Sequence, residues 1–117
     1  MDKSREEILD GFFKPNPADW KETQKYLEEV RTHPSAASKS IGTMRTYVQV
    51  IRRFLNHIKM NPSKVTKGRV KKYFSHLSKS KQINGNSQHV YFAALRWYLT
   101  KVKGKKAFNL QLAKVKL

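Results

Sequence analysis

Cysteine is absent from the sequence, so neither a disulfide framework nor a thiolate metal site can form. Long apolar runs are absent too, with none approaching the ~18 residues that a membrane-spanning helix needs. The first thirty residues are charged and mixed, without the apolar core of a secretory signal. His33, His57, His76 and His89 lie too far apart to form an HxxxH-type ligand pair, so neither a metal nor a cofactor is expected. The most informative absence is that of negative charge. All eight acids (Asp2, Glu6, Glu7, Asp10, Asp19, Glu22, Glu28, Glu29) precede residue 30, and none follows.

That absence excludes most chemistry. After residue 29 no carboxylate is available to act as a general base, to orient a histidine or to bind Mg²⁺. A GxxxxGK[ST] phosphate loop is missing as well. The chain by itself therefore reads as something other than an enzyme. What is present is positive charge: the first 29 residues carry a net −3 and the remaining 88 carry +20. Like charge on that scale repels itself unless an anion neutralises it. Nucleic acid is the leading candidate, because Lys and Arg release the counterions condensed on phosphates. An ordinary solvated surface mixes both signs. A membrane-surface helix would set large apolar residues outward beside its lysines.

The 117 residues suffice for one compact domain, and the apolar spacing is helical throughout. SREEILDGFF opens with Ser4-x-x-Glu7, a capping-box pattern, and predicts a short helix or turn that Gly11 weakens. NPADWKETQKYLEEVR predicts a helix from Asn16 as N-cap, with Pro17 in its first turn and Trp20, Leu27 and Val30 as its apolar stripe. THPSAASKS reads as a linker. The next helix spans about 40–60 and buries Met44, Tyr47, Ile51, Phe54, Leu55 and Ile58, with Asn61-Pro62 ending it. Thr66 caps a helix to about Ser78 with Val70, Tyr73, Phe74 and Leu77 inward. Asn84-Gly85 marks a turn. Asn86 or Ser87 caps the last helix, whose expected core is Tyr91, Ala94, Leu95, Tyr98 and Val102, with Trp97 off that stripe; Gly104 stops it.

The polar faces hold the candidate site. Arg45, Gln49, Arg52, Asn56 and Lys59 recur at steps of four and three, and Gly42, Thr46, Gln49 and Arg53 form a second stripe beside them. Arg, Gln and Asn offer the bidentate geometry that reads guanine and adenine edges. Lys39, Ser40 and Thr43 stand at the helix start, where unpaired backbone N–H groups favour a phosphate. Asn86, Ser87, Gln88 and His89 repeat that clustering at the start of the last helix. The aromatic residues fall mostly on apolar faces and read as core rather than as a base-stacking platform.

Three segments together resemble a known family. SIGTMRTYVQVIRRFLNHI is similar to the Ser-x-x-Thr-x-x-x-Tyr opening of the core-binding domain of tyrosine recombinases, the phage integrase and Xer-type family, with Ser40, Thr43, Tyr47, Ile51, Phe54 and Leu55 at the matching positions. NPSKVTKGRVKKYFSHL and NSQHVYFAALRWYL resemble the second and third elements, the latter through Ser87 and the run from Ala94 to Tyr98. The resemblance covers about 38–104. It implies an all-α, small four-helix SAM-like bundle that grips one face of double-stranded DNA, while a separate C-terminal catalytic domain closes on the other. By position it implies contacts at Ser40, Gly42, Thr43, Thr46, Ser87 and His89. Gly42 offers no side chain and His89 stands where lysine would hold phosphate better, which shifts weight to Arg45, Gln49 and Arg53.

The expected organisation is an acidic N-terminal helical extension (1–35), the DNA-binding helical domain (38–104) and a basic linker (105–117) leading towards the catalytic domain. The extension either packs on the bundle or meets neighbouring protomers on DNA. A tyrosine recombinase of this family implies action on DNA in the cytoplasm of a prokaryotic cell, at the nucleoid. Two other readings remain open: a stand-alone helical DNA- or RNA-binding protein, and an interaction module built on the acidic N-terminal helix.

Overall fold

A computed structural model describes residues 4–79 and 85–104. The described residues are all-α, with five α-helices and no strand. They fall into two units that divide between Lys59 and Met60. The expected linker over 105–117 and the residues around Asn84 lie outside the described part.

The first unit holds α1 (Arg5–Phe12), α2 (Thr23–Thr32), a 3₁₀ turn (Pro34–Ser38) and α3 (Ile41–Ile58). Ser4 caps α1 as its sequence predicts: its hydroxyl accepts from Glu7 N at 3.2 Å, while Glu7 Oε1 accepts from that hydroxyl at 3.4 Å. Gly11 does not interrupt α1, which runs on to Phe12. Both α1 and α2 pack against α3. Phe13, Leu27, Val30, Met44, Ile51, Phe54 and Leu55 are all buried, each worth ~1.5–3 kcal/mol against exposure.

Three expectations for this unit need correction. The helix predicted from Asn16 begins only at Thr23. Asn16 instead closes a turn, its side chain accepting from Ala18 N at 2.9 Å while its own N–H donates to Asp19 Oδ2 at 3.1 Å. The N–H of Trp20 is taken by Asn56 of α3, so the segment is held as a turn. On α3, Val48 and Val50 are buried, whereas Tyr47 is only half-buried, with Lys39 Nζ 5.3 Å from its ring centre. The segment read as a plain linker contains the 3₁₀ turn, capped by the His33 ring accepting from Ser35 N.

α3 ends at Ile58, and Lys59 takes the left-handed conformation (φ 48°, ψ 45°), its N–H donating to Leu55 O at 3.0 Å. The second unit begins with a 3₁₀ turn (Pro62–Lys64) capped by Asn61, followed by α4 (Lys67–Lys79) and α5 (Gly85–Trp97). Thr66 caps α4, accepting from Arg69 N at 3.2 Å. Val70, Tyr73, Phe74 and Leu77 are buried as the periodicity predicts, and the Phe74 and Phe92 rings join α4 to α5 with centres 4.5 Å apart. α5 begins at Gly85, ahead of both expected caps, so Asn86 and Ser87 stand in its first turn. It continues as a π turn (Tyr98–Val102), and Gly104 (φ +70°) ends it. Trp97 is buried and Tyr91 half-buried, the reverse of their expected ranking.

Candidate nucleic-acid interface

The first turn of α3 concentrates hydroxyls. Ser40 caps the helix by accepting from Thr43 N at 3.1 Å, and it donates to Thr43 Oγ1 at 2.9 Å. Thr43 Oγ1 therefore keeps its own proton for an external acceptor. Thr46 donates to Gly42 O at 3.2 Å, which uses its proton inside the helix. Lys39, just ahead, is half-buried against Tyr47. The N-terminal segment supports this corner, with Arg5 Nη2 donating to Lys39 O at 2.6 Å.

Along α3 the polar face divides in two. Gly42, Arg45, Gln49, Arg53 and His57 are exposed and Thr46 is half-buried, and at 100° per residue they share one side of the helix. Arg45 and Gln49 have no side-chain hydrogen bond or ion pair among the described residues. Together with Arg52 they border a hollow of about 200 Å³ beside Gly11 and Phe12.

Arg52 and Asn56 behave differently. Arg52 Nη2 donates to Lys14 O at 2.7 Å, and its Nε lies 3.4 Å from Asp19 Oδ2. Asn56 Oδ1 accepts from Trp20 N at 3.0 Å and from Thr23 Oγ1 at 2.6 Å, while its Nδ2 donates to Asp19 Oδ1 at 3.0 Å. Two members of the predicted stripe thus clasp the segment between α1 and α2. Asp10 likewise pairs with Arg31 across α1 and α2. The N-terminal acids serve in part as internal partners for arginines of the basic portion.

In the second unit Gln88 is half-buried and His89 exposed, in the same first turn of α5 as Asn86 and Ser87. Lys67, Arg69, Lys71, Lys72 and Lys79 of α4 are all exposed and lie outside the stripes that the sequence singles out. A run of cations at helical spacing with no acid was the available signal. Among the described residues no group of His, Cys, Asp and Glu could hold a metal ion, and no helix is long and apolar enough to cross a membrane. The surface can offer cations, hydroxyls and amides to an anion.

Compared with known proteins, residues 26–107 match the family model described as the phage integrase N-terminal SAM-like domain, which is more than half of the chain. No curated protein and no solved structure matches. The matched range takes in α3, α4 and α5 together with most of α2.

Proposed function

The chain belongs to the phage integrase N-terminal SAM-like domain family, and from that premise we propose that it binds duplex DNA as the core-binding domain of a site-specific tyrosine recombinase. Membership implies DNA binding in a recombinase context, and no catalytic domain is evident within these 117 residues. In the proposed role the domain holds a recombination site while a separate catalytic domain performs strand exchange.

The observation that carries this reading is the exposed, acid-free side of α3, with Arg45, Gln49 and Arg53 beside the Ser40-capped helix start. Lys39, the Thr43 hydroxyl and the backbone N–H of Ser40 take phosphate oxygens there, where the helix dipole favours negative charge. Arg45, Gln49 and Arg53 reach base edges, with Thr46 alongside. Asn86, Ser87, Gln88 and His89 provide the second contact, at the start of α5. Phosphate contacts supply most of the affinity and the α3 side chains the discrimination.

A titration against random duplex, matched single strand and duplex RNA at two salt concentrations tests the reading. The expected result is a duplex-DNA preference that falls steeply with salt, by ~0.9 log units per decade for each phosphate neutralised. The Arg45→Ala, Arg53→Ala double variant should bind duplex more weakly with an unchanged circular dichroism spectrum. A folded double variant of unchanged affinity would remove this face from the interface. A preference for RNA or single strands would replace the recombinase reading with that of a stand-alone nucleic-acid binder.

A further inference from the structure

Helix α4 buries Val70, Tyr73, Phe74 and Leu77 along one side. The other side carries Lys67, Arg69, Lys71, Lys72 and Lys79, all exposed. Lys67, Lys71 and Lys79 lie on one ridge with Ser75, each a multiple of four residues from the next, and Lys72 stands beside that ridge. None of the five cations has a side-chain hydrogen bond or ion pair among the described residues. Arg5, Arg31 and Arg52 in the first unit, by contrast, hold a carbonyl or a carboxylate. Like charges three or four residues apart destabilise a helix, and α4 contains no acid to offset them.

The composition of this side indicates its partner. It has no Asn or Gln and so lacks the amides that read adenine, whereas lysine suits phosphate as a point charge. It also has no exposed large apolar residue to insert among lipids: Val90, on α5, is the exposed large hydrophobic residue of the described part. Thirteen helical residues span ~20 Å, about the axial rise of six nucleotides of one strand. We infer that the exposed lysine ridge of α4 is a further, sequence-independent contact for the sugar–phosphate backbone of duplex DNA, separate from the contacts of α3 and α5. The inference rests on the duplex-DNA reading above and adds a surface to it.

The test uses the full chain with Lys67→Gln, Lys71→Gln, Lys72→Gln and Lys79→Gln combined, the same four positions changed to arginine, and Lys71→Gln alone. Each is titrated against two unrelated duplexes over a range of salt, and against vesicles of phosphatidylserine and phosphatidylcholine. The fourfold Gln variant should lose ~1.8–3.6 from the slope of log affinity against log salt, as for two to four phosphates. The loss should be equal on both duplexes, and arginine should preserve the slope. Lys71→Gln, which disturbs nothing buried, should lose ~0.9, so the result does not depend on the fourfold variant folding. An unchanged slope in both Gln variants, with the parent chain bound to duplex, overturns the inference and leaves the duplex reading standing. A parent chain that ignores duplex DNA overturns both. Vesicle binding that the Gln changes abolish while the duplex slope stays constant reassigns the ridge to a membrane surface.

Discussion

Replacing Asn56 with alanine should loosen the attachment of the N-terminal segment to α3. The side chain makes three hydrogen bonds, to Trp20 N, Thr23 Oγ1 and Asp19 Oδ1. A net ~0.5–1.5 kcal/mol each sets the scale. Water can reach a half-buried site and replace part of what is lost at Trp20 and Asp19. Thr23 is fully buried, and its hydroxyl would be stranded at a cost of ~1–3 kcal/mol. The expected destabilisation is therefore ~2–3 kcal/mol, a loss of roughly 30- to 150-fold in the folding equilibrium. Urea unfolding followed by tryptophan fluorescence measures it, since Trp20 stacks on Tyr26 with ring centres 6.2 Å apart beside the network. Thr23→Val provides the internal check: alone it should destabilise, and in the Asn56→Ala background it should recover ~1 kcal/mol because no hydroxyl remains to be stranded. A loss below ~0.5 kcal/mol for Asn56→Ala would refute the reasoning; so would additivity of the two changes.

Two further outcomes are expected. Lys59→Gly should stabilise the fold by ~1 kcal/mol in the same urea assay, because Lys59 occupies the left-handed region that glycine adopts without steric cost. At Ser40, alanine should cost ~1 kcal/mol by removing the cap. Ser40→Asp should keep the stability within ~0.5 kcal/mol, since aspartate caps as well as serine, yet weaken duplex binding by placing a carboxylate where a phosphate would sit; equal binding by Ser40→Asp and the parent chain would remove Ser40 from the contact.

Local signals carried far in some elements and failed in others for a definite reason. Ser4-x-x-Glu7, Ser40, Thr66 and Gly104 act within a few residues of themselves, and they bound their elements as their spacing predicts. The four apolar positions of α4 follow from a period that needs no partner to define it. Asn16-Pro17 carries the same kind of short-range signal for a helix start, but the deciding contact comes from Asn56, whose Oδ1 takes the N–H of Trp20 across 36 residues of chain. Long-range contacts with the same segment separate Arg45 and Gln49, which stay open, from Arg52 and Asn56, which do not. All four read alike on a helical wheel. Val48 and Val50 were missed because α3 is buried over a wider arc than a single stripe, as expected of a helix that receives both α1 and α2 on its surface.

The clasp on Arg52 changes the ion stoichiometry of any complex this protein forms. A guanidinium that already faces a carboxylate 3.4 Å away reaches a polyanion with its counter-charge resident, and it displaces few condensed ions when it arrives. Of the three arginines on α3, Arg45 should therefore register in a salt titration against duplex DNA and Arg52 should not. Each acid held in this way lowers the number of ions released without removing a cation from the surface. The twenty Lys and Arg that follow residue 29 therefore overcount that number, and the N-terminal acids that hold Arg31 and Arg52 account for part of the difference.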